Sequence, residues 1–173
     1  LVLADAGAPA RPFRGGGAHA GTLSIEVSVG QERMIVNCGS AIESEATWQM
    51  VQRMTAAHST LSVEDRNSSE ILNDGGLGRS AKITTYSRRD TETELCFEAT
   101  HDGYRPVFGL EHSRKVEVLR NEEGVRGSEI ISTSGEFGFA VRFHLHPTVT
   151  VSLAQGGSSA LIKLKKGGGW RLS

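Results

Sequence analysis

The chain has 173 residues, of which 23% are charged, and its formal net charge is −1 at pH 7. This length suits one domain with its own core, and the balanced charge does not indicate a nucleic-acid partner. No apolar run approaches the roughly 18 residues that a membrane span requires, so we expect no span. The two cysteines do not form a Cys-x-x-Cys pair, which excludes a zinc ribbon.

The first part of the chain has the composition of a connecting segment. Residues 1–18 are rich in Gly, Ala and Pro, and they begin Leu-Val-Leu-Ala-Asp without an initiator methionine. Such a composition is typical of loops and linkers. We therefore interpret residues 1–18 as a linker or edge segment, residues 19–173 as the domain, and the whole chain as a segment of a longer protein.

From residue 22 onward the pattern indicates β-structure. Apolar and polar residues alternate in short runs that Gly, Asn, Asp and Ser separate, as in the strands of an antiparallel sandwich. Residues 44–54 are either a short helix or an ordered loop. We predict an all-β fold, an antiparallel β-sandwich of about ten to thirteen strands. The predicted strands are 22–29, 33–38, 58–64, 82–86, 92–100, 105–112, 115–120, 124–132, 138–144, 148–153, 159–165 and 169–172.

Two histidines lie beside small residues near the starts of predicted strands. His19 stands in the run Gly-Ala-His-Ala-Gly at 17–21, and His58 follows two alanines. Small neighbours leave room for a ligand or a metal ion to approach an imidazole. By position alone, a surface residue at the start of a strand is the favoured interpretation of each histidine.

The order of these motifs resembles that of a known family. A histidine before the first strand, the turn Val-Asn-Cys-Gly at 36–39 and the run Ala-Ala-His at 56–58 resemble the C-terminal β-sandwich of heparinase II/III-like polysaccharide lyases. The resemblance covers nearly the whole chain. It implies a bacterial protein in which an N-terminal (α/α) toroid packs against this sandwich, with an acidic polysaccharide such as a glycosaminoglycan between them. Periplasm and cytoplasm both stay open as its compartment.

The resemblance also implies roles for particular residues. His19 and His58 occupy catalytic-site positions, and together with Asn37 they occupy the positions of the family's ligands for zinc or another divalent ion. Two imidazoles and a carboxylate suit such an ion, so an amide at Asn37 weakens the site. The family's catalytic histidine would fall at Gly17, and the aspartate of its motif would fall at Gly21.

Further polar residues are candidates for contacts with the substrate. Alternation along the strand predicted at 138–144, continued to His146, places Arg142, His144 and His146 on one face. Such a face suits an acidic sugar, or it is simply a polar face at the rim of the sandwich. Tyr104 follows the turn at 101–103, which we expect to present its ring. We therefore predict Arg142, His144, His146 and Tyr104 as substrate-binding residues.

The implied reaction is β-elimination at a uronate. Because the toroid commonly supplies the tyrosine and the neutralising residue, we expect this domain to be inactive alone and the function to belong to the full-length lyase. The alternative is a non-catalytic carbohydrate-binding or scaffold domain in the handling of envelope polysaccharides. Few aromatic residues are present, at 6% of the chain, which disfavours a dedicated sugar-binding module.

Overall fold

The computed structural model describes residues 1–7, 17–40, 45–73, 76–154 and 156–173. In these ranges the chain is built almost entirely of antiparallel strands, which confirms the all-β prediction. The elements in chain order are β1 (Val2–Ala4), β2 (Ile25–Val29), β3 (Glu32–Val36), α1 (Ala46–Arg53), a 3-10 turn (Thr55–Ala57), β4 (Leu61–Val63), β5 (Ile83–Asp90), β6 (Glu94–His101), α2 (Arg105–Phe108), β7 (Glu111–Leu119), β8 (Gly124–Ser132), β9 (Phe139–Val141), β10 (His144–Leu145), β11 (Thr150–Leu153), β12 (Ala160–Lys163) and β13 (Gly169–Leu172).

The strands within the described ranges form four sheets. Two of them have four strands each, in the orders β1-β2-β3-β10 and β5-β6-β7-β8, and the smaller sheets are β11-β12-β13 and β4-β9. Alternating burial follows the pleat, because Ile25 and Val27 on β2 are buried while Glu26 and Ser28, which alternate with them, are partly exposed. The chain therefore places one face of each larger sheet against a shared interior.

The interior contains two apolar clusters. The first joins β2 and β3 to β7 and β12, and its buried members are Ile25, Val27, Met34, Ile35, Val116, Ile162 and Leu164. The second lies around β4 and the turn before α2, and its buried members are Leu61, Val63, Tyr104 and Leu110. Contacts between strands that are distant in sequence thus hold the sandwich together.

The connection from β3 to β4 brings helical structure next to His58. The segment predicted as helix or loop contains α1, and a 3-10 turn follows it directly. Residue 44, the predicted start of that segment, lies outside the described residues. Because the turn ends at Ala57, His58 is held between a helical turn and β4.

Two predicted strands differ from the structure in more than their bounds. The strand predicted at 105–112 is wrong, because Arg105–Phe108 form a helical turn and β7 begins only at Glu111. Pro106 has the fixed φ of a helix start, and Gly109 ends the turn with φ 68°, in the left-handed region. The strand predicted at 138–144 is divided between β9 and β10, which pair with different sheets.

The first segment contains an edge strand. Val2–Ala4 pair with β2 along the edge of the first sheet, while residues 8–16 lie outside the described part of the chain. No helix among the described residues is long and apolar enough to cross a membrane.

Candidate functional site

His19 and His58 meet in the structure although they are 39 residues apart. The Nδ1 atom of His19 lies 3.1 Å from the Nε2 atom of His58, and the two rings meet edge to face. The Nδ1 atom of His58 lies 2.8 Å from the carbonyl oxygen of Met54. Since a carbonyl oxygen can only accept, neutral His58 donates from Nδ1 and accepts at Nε2 from His19. The Nε2 atom of His19 therefore keeps its lone pair for another partner.

Both imidazoles favour the neutral form. Burial lowers the pKa of His19 below its usual 6.5, and the nearby charges of His58 and Arg53 lower it further. Burial is also the main cause that lowers the pKa of His58, and it outweighs the opposite effect of the Met54 carbonyl. At neutral pH the pair thus presents one unprotonated nitrogen that can accept a proton or bind a metal ion.

Hydrogen bonds between neighbouring segments fix the position of the pair. The backbone N–H of Ala20 donates to the carbonyl oxygen of Arg53 over 2.9 Å, and the Thr55 hydroxyl donates to that of Ala20 over 2.6 Å. Gly21 lies against the imidazole of His58, because a Cβ at this position would be only 2.5 Å from its Cδ2 atom. The aspartate that the family's motif has at Gly21 therefore does not fit unless His58 moves.

Asn37 lies beside the pair and bridges three segments. Its Oδ1 atom accepts a hydrogen bond from the backbone N–H of Ser59 over 2.8 Å. Its Nδ2 atom donates to the Glu26 carboxylate over 3.2 Å and lies 3.4 Å from the Ser24 hydroxyl. The amide thus uses both its donor and its acceptor to hold β2, β3 and the His58 segment together.

The two histidines fit a metal ion better than Asn37 does. Nitrogen ligands lie about 2.0–2.1 Å from zinc, which places two of them about 3.3 Å apart on a tetrahedral ion. The separation of 3.1 Å between Nδ1 of His19 and Nε2 of His58 is close to this value, but these atoms share a hydrogen bond, so both could bind an ion only in the other tautomer of His19, with its proton on Nε2. However, the Asn37 oxygen is engaged by Ser59, and the described residues include no group of three His, Cys, Asp or Glu side chains that could hold a metal. The described residues therefore supply two ligands and do not fit a three-ligand site, so the metal stays a prediction.

Of the predicted substrate-binding residues, His144 lies next to the pair. Its Nε2 atom is 2.8 Å from the carbonyl oxygen of Ala56, and its backbone N–H donates to the Ser59 hydroxyl over 2.9 Å. Its charge is also close enough to lower the pKa of His58. His144 thus borders the site from β10.

Arg142 and His146 have other partners. Arg142 donates to the Ser62 hydroxyl and lies 3.3 Å from the Asp65 carboxylate, and His146 lies 3.1 Å from the Arg33 guanidinium. Because β10 contains only His144 and Leu145, no continuous strand carries all three predicted residues. Their interaction with a substrate stays a prediction.

Tyr104 lies in the core and not at the surface. Its side chain is fully buried in the second apolar cluster, and its hydroxyl donates to the carbonyl oxygen of Leu61 over 3.0 Å. Burial raises the pKa of Tyr104. The prediction that the turn presents Tyr104 to a substrate is therefore wrong, because α2 directs the ring inward.

Sequence reasoning missed a buried polar chain behind the site. His101, His112 and Arg114 are almost completely buried on β6 and β7, and Glu129 on β8 is largely buried. The backbone N–H of Gly103 donates to Nδ1 of His101, so neutral His101 donates from Nε2 to His112. His112 in turn lies 2.6 Å from one carboxylate oxygen of Glu129. Each of these polar residues occupies an inward-facing position of its strand. In the sequence, a polar residue at such a position was the signal that could have revealed the buried chain.

Arg114 connects this chain to the site. Its Nε atom donates to the other carboxylate oxygen of Glu129 over 2.7 Å. Its Nη1 atom donates to the carbonyl oxygens of Leu23 and Ser59 over 2.6 and 2.7 Å. Ser59 directly follows His58, and Leu23 lies at the end of the His19 segment in the left-handed region, with φ 61°. One guanidinium thus ties together the two segments that carry the pair.

Comparisons with known proteins bear on the family and the fold. A family model described as "Heparinase II/III-like, C-terminal" matches residues 1–173. The chain is also 29% identical to FtsZ-localized protein C of Caulobacter vibrioides (strain NA1000 / CB15N), over 99% of this chain and 32% of that protein. Among solved structures, a heparinase III with methylated lysines superimposes with a TM-score of 0.73.

These two relatives are much longer than the chain. The superposition on heparinase III covers 98% of this chain but 24% of that one, and at 16% identity it shows the fold alone. The chain spans about a third of the curated relative. The activity and partners of a whole relative therefore enter below only as proposals.

Proposed function

The chain belongs to the heparinase II/III-like C-terminal family, and on that premise we propose that it is the sandwich domain of a lyase for uronate-containing acidic polysaccharides. The observation that carries the proposal is the neutral His19–His58 pair, whose remaining lone pair lies on a half-buried imidazole. An N-terminal toroid would form the opposite wall of the substrate cleft.

The geometry of the pair suits proton abstraction. In β-elimination a base removes the C5 proton of a uronate, the C4–C5 double bond forms, and the C4–O bond breaks as the leaving oxygen takes up a proton. Nε2 of His19 is the base in this proposal, because a lowered pKa leaves it unprotonated at pH 7. The positive charge that results is stabilised by the bond from Nδ1 of His19 to His58, which the Met54 carbonyl orients.

The test is formation of the unsaturated product. The full-length protein is incubated with heparin, heparan sulfate and alginate while the ultraviolet absorbance of unsaturated uronate is followed. We expect product from at least one substrate, abolished by His19→Ala and reduced by about 10²-fold by His58→Ala. Lys82→Ala, an exposed residue away from the pair, serves as the control. Absence of product from every uronan would contradict the proposal, and the domain alone should be inactive.

A second candidate is a non-catalytic assembly domain. Two observations favour it: Gly17 stands where the family's motif has its catalytic histidine, and a relative is named for localisation to FtsZ. In this case the sandwich stabilises a longer protein that binds at a division site. The test is co-sedimentation of the full-length protein with FtsZ polymers. Binding that His19→Ala leaves unchanged, together with no unsaturated product in the lyase assay, would favour this candidate over the first.

A further inference from the structure

The distribution of charge along the chain is uneven. Residues 137–173 contain five of the 19 Lys and Arg residues and none of the 20 Asp and Glu residues. The preceding 136 residues therefore carry 14 basic and 20 acidic residues, a formal charge of −6, against +5 for the last 37. This segment contains β9, β10 and the three-stranded sheet β11-β12-β13, and all of its cations except Arg142 lie in or beside that sheet.

The pleat of β12 directs these cations to one face. Ile162 and Leu164 are buried, so alternation turns Lys163 outward on β12 and Lys165 outward just beyond it. Arg171 on β13 is also exposed. Together with Lys166 in the turn between these strands, three lysines and one arginine lie on or beside the outer face of a small sheet.

These four cations are not neutralised within the described part of the chain. The ion pairs there involve other basic residues, such as Arg89, Lys115 and Arg120, while Lys163, Lys165, Lys166 and Arg171 have none. Two carboxylates lie in the neighbourhood. Glu32 accepts a hydrogen bond from the backbone N–H of Lys166, and Glu123 lines the same cavity as Arg171. The outer face nevertheless has an excess of positive charge.

An exposed aliphatic side chain stands among the cations. Leu161 is 56% exposed and lies directly opposite Arg171 in the strand register, with Ser152 on its other side. Trp170 pairs with the buried Ile162 and therefore lies on the inner face. A face with cations and a leucine but no aromatic ring suits a lipid interface better than a sugar, since sugar recognition relies on ring stacking.

We propose that the outer face of the sheet β11-β12-β13 binds an anionic lipid surface. Lys163, Lys165 and Arg171 are attracted to the head groups, and Leu161 enters the boundary between head groups and acyl chains. Binding is peripheral, because it depends on one sheet face and on charges that salt screens. It is independent of the proposed lyase chemistry.

The test is co-sedimentation of the purified protein with vesicles. Vesicles of phosphatidylcholine alone are compared with vesicles that also contain phosphatidylglycerol, at low and at high salt. We expect binding only to the anionic vesicles, weakened by salt, and lowered by at least about tenfold in a Lys163→Glu/Lys165→Glu double variant. Leu161→Ser should lower binding further when salt has already screened the charges.

The matched control makes the same charge change elsewhere. Lys82→Glu/Arg126→Glu reverses two exposed cations, one before β5 and one on β8, and should leave vesicle binding unchanged, with folding of each variant checked by circular dichroism. Equal binding to both kinds of vesicle, no binding, or equal loss in both double variants would overturn the proposal. Binding to soluble heparin but not to vesicles would also overturn the proposal. If the Lys163→Glu/Lys165→Glu variant lost that binding, the face would be assigned to a polysaccharide.

Discussion

At the scale of single residues, Asn37 shows how one amide can join three segments of the fold. Ser59 needs an acceptor for its backbone N–H, and the Glu26 carboxylate needs a donor. Only a side chain with both groups meets both needs, and asparagine has them. Asn37 therefore strengthens the junction between β2, β3 and the His58 segment.

We predict that Asn37→Asp weakens this junction and creates a metal site. The new carboxylate would still accept from Ser59 but would face the Glu26 carboxylate over about the present 3.2 Å. In a chelator, we expect the free energy of unfolding to fall by about 1–3 kcal/mol. Zinc should restore part of it, because His19, His58 and the new aspartate would then form a three-ligand set.

Denaturant unfolding with chelator and with zinc measures this effect, beside zinc content by elemental mass spectrometry. Adding His58→Ala to the Asn37→Asp variant serves as the control and should remove the rescue. Equal stability of Asn37→Asp in chelator and in zinc would contradict the prediction.

Two glycines with free space beside them should respond to alanine in opposite directions. A Cβ at either Gly30 or Gly127 would meet no atom within 4 Å. Gly30 has φ 57° in the turn from β2 to β3, where an alanine costs about 1–2 kcal/mol. Gly127 lies within β8, where alanine should stabilise by about 0.5–1 kcal/mol. Thermal unfolding of both variants measures the two effects. A shift of the midpoint temperature in the same direction in both would contradict the prediction.

At the scale of elements, β7 is the strand that connects the interior to the site. Its inward side chains include His112, Arg114 and Val116, so one strand contributes to the polar chain and to the first apolar cluster. Arg114 reaches two carbonyl oxygens that a shorter or flexible cation would not reach together. The position of the His19–His58 pair is therefore set partly by a strand that carries neither histidine.

Arg114→Lys should preserve the charge but loosen the pair. A lysine cannot hold Glu129, Leu23 and Ser59 at the same time, because it lacks the planar set of donors. We expect the pKa of His19 and of His58 to move back toward 6.5, measured by NMR titration of the two imidazoles. Arg126→Lys, an exposed site on the neighbouring strand, is the control. Unchanged titration in a folded Arg114→Lys variant would show that Arg114 only stabilises the fold.

Much of the strand pattern could be predicted from the sequence, but little could be predicted of how the strands pair and pack. Gly124–Ser132 and Gly169–Leu172 match the predicted bounds, because turn residues precede both strands. The helical turn Arg105–Phe108 was missed because four residues are too short to show a period. The polar chain was missed because Glu129 and Arg114 become partners only through the register of β7 and β8.

Prediction of the site depended on a different kind of signal. The order of motifs placed His19 and His58 in one family pattern, and the structure brings their ring nitrogens together. Spacing along the chain could not have shown this, since β2, β3, α1 and the 3-10 turn lie between the two residues in the sequence. Tyr104 was misjudged for the same reason, because only packing shows which way a side chain leaves a turn.

At the scale of the whole molecule, buried histidines make stability depend on pH. Burial lowers the pKa of His101 from 6.5 to about 3, with smaller effects from His112 and Arg114. Between these values the unfolded chain binds a proton that the folded chain does not, so stability falls as the pH falls from 6.5 toward 3. His19 and His58 act in the same direction.

We predict a steep loss of stability in mild acid, with His101 contributing roughly 5 kcal/mol across its full window. Urea unfolding at a series of pH values measures the slope. In a folded His101→Gln variant the slope should become shallower, while in Gln31→Ala, at an exposed position that does not titrate, it should not change. A pH-independent free energy of unfolding between pH 7 and pH 4 would contradict the prediction.

The contacts around the His19–His58 pair join parts of the chain that are far apart in sequence. Arg114 lies 91 residues from Leu23, and His144 lies 85 residues from the Ser59 hydroxyl that it contacts. Closing loops of this length costs conformational entropy, and that cost is offset only when both sheets have packed together. We therefore expect these contacts to form late in folding and to be lost early in unfolding. The chemistry of the pair is therefore a property of the finished molecule, and the titration of two imidazoles would report, during refolding, the moment at which assembly is complete.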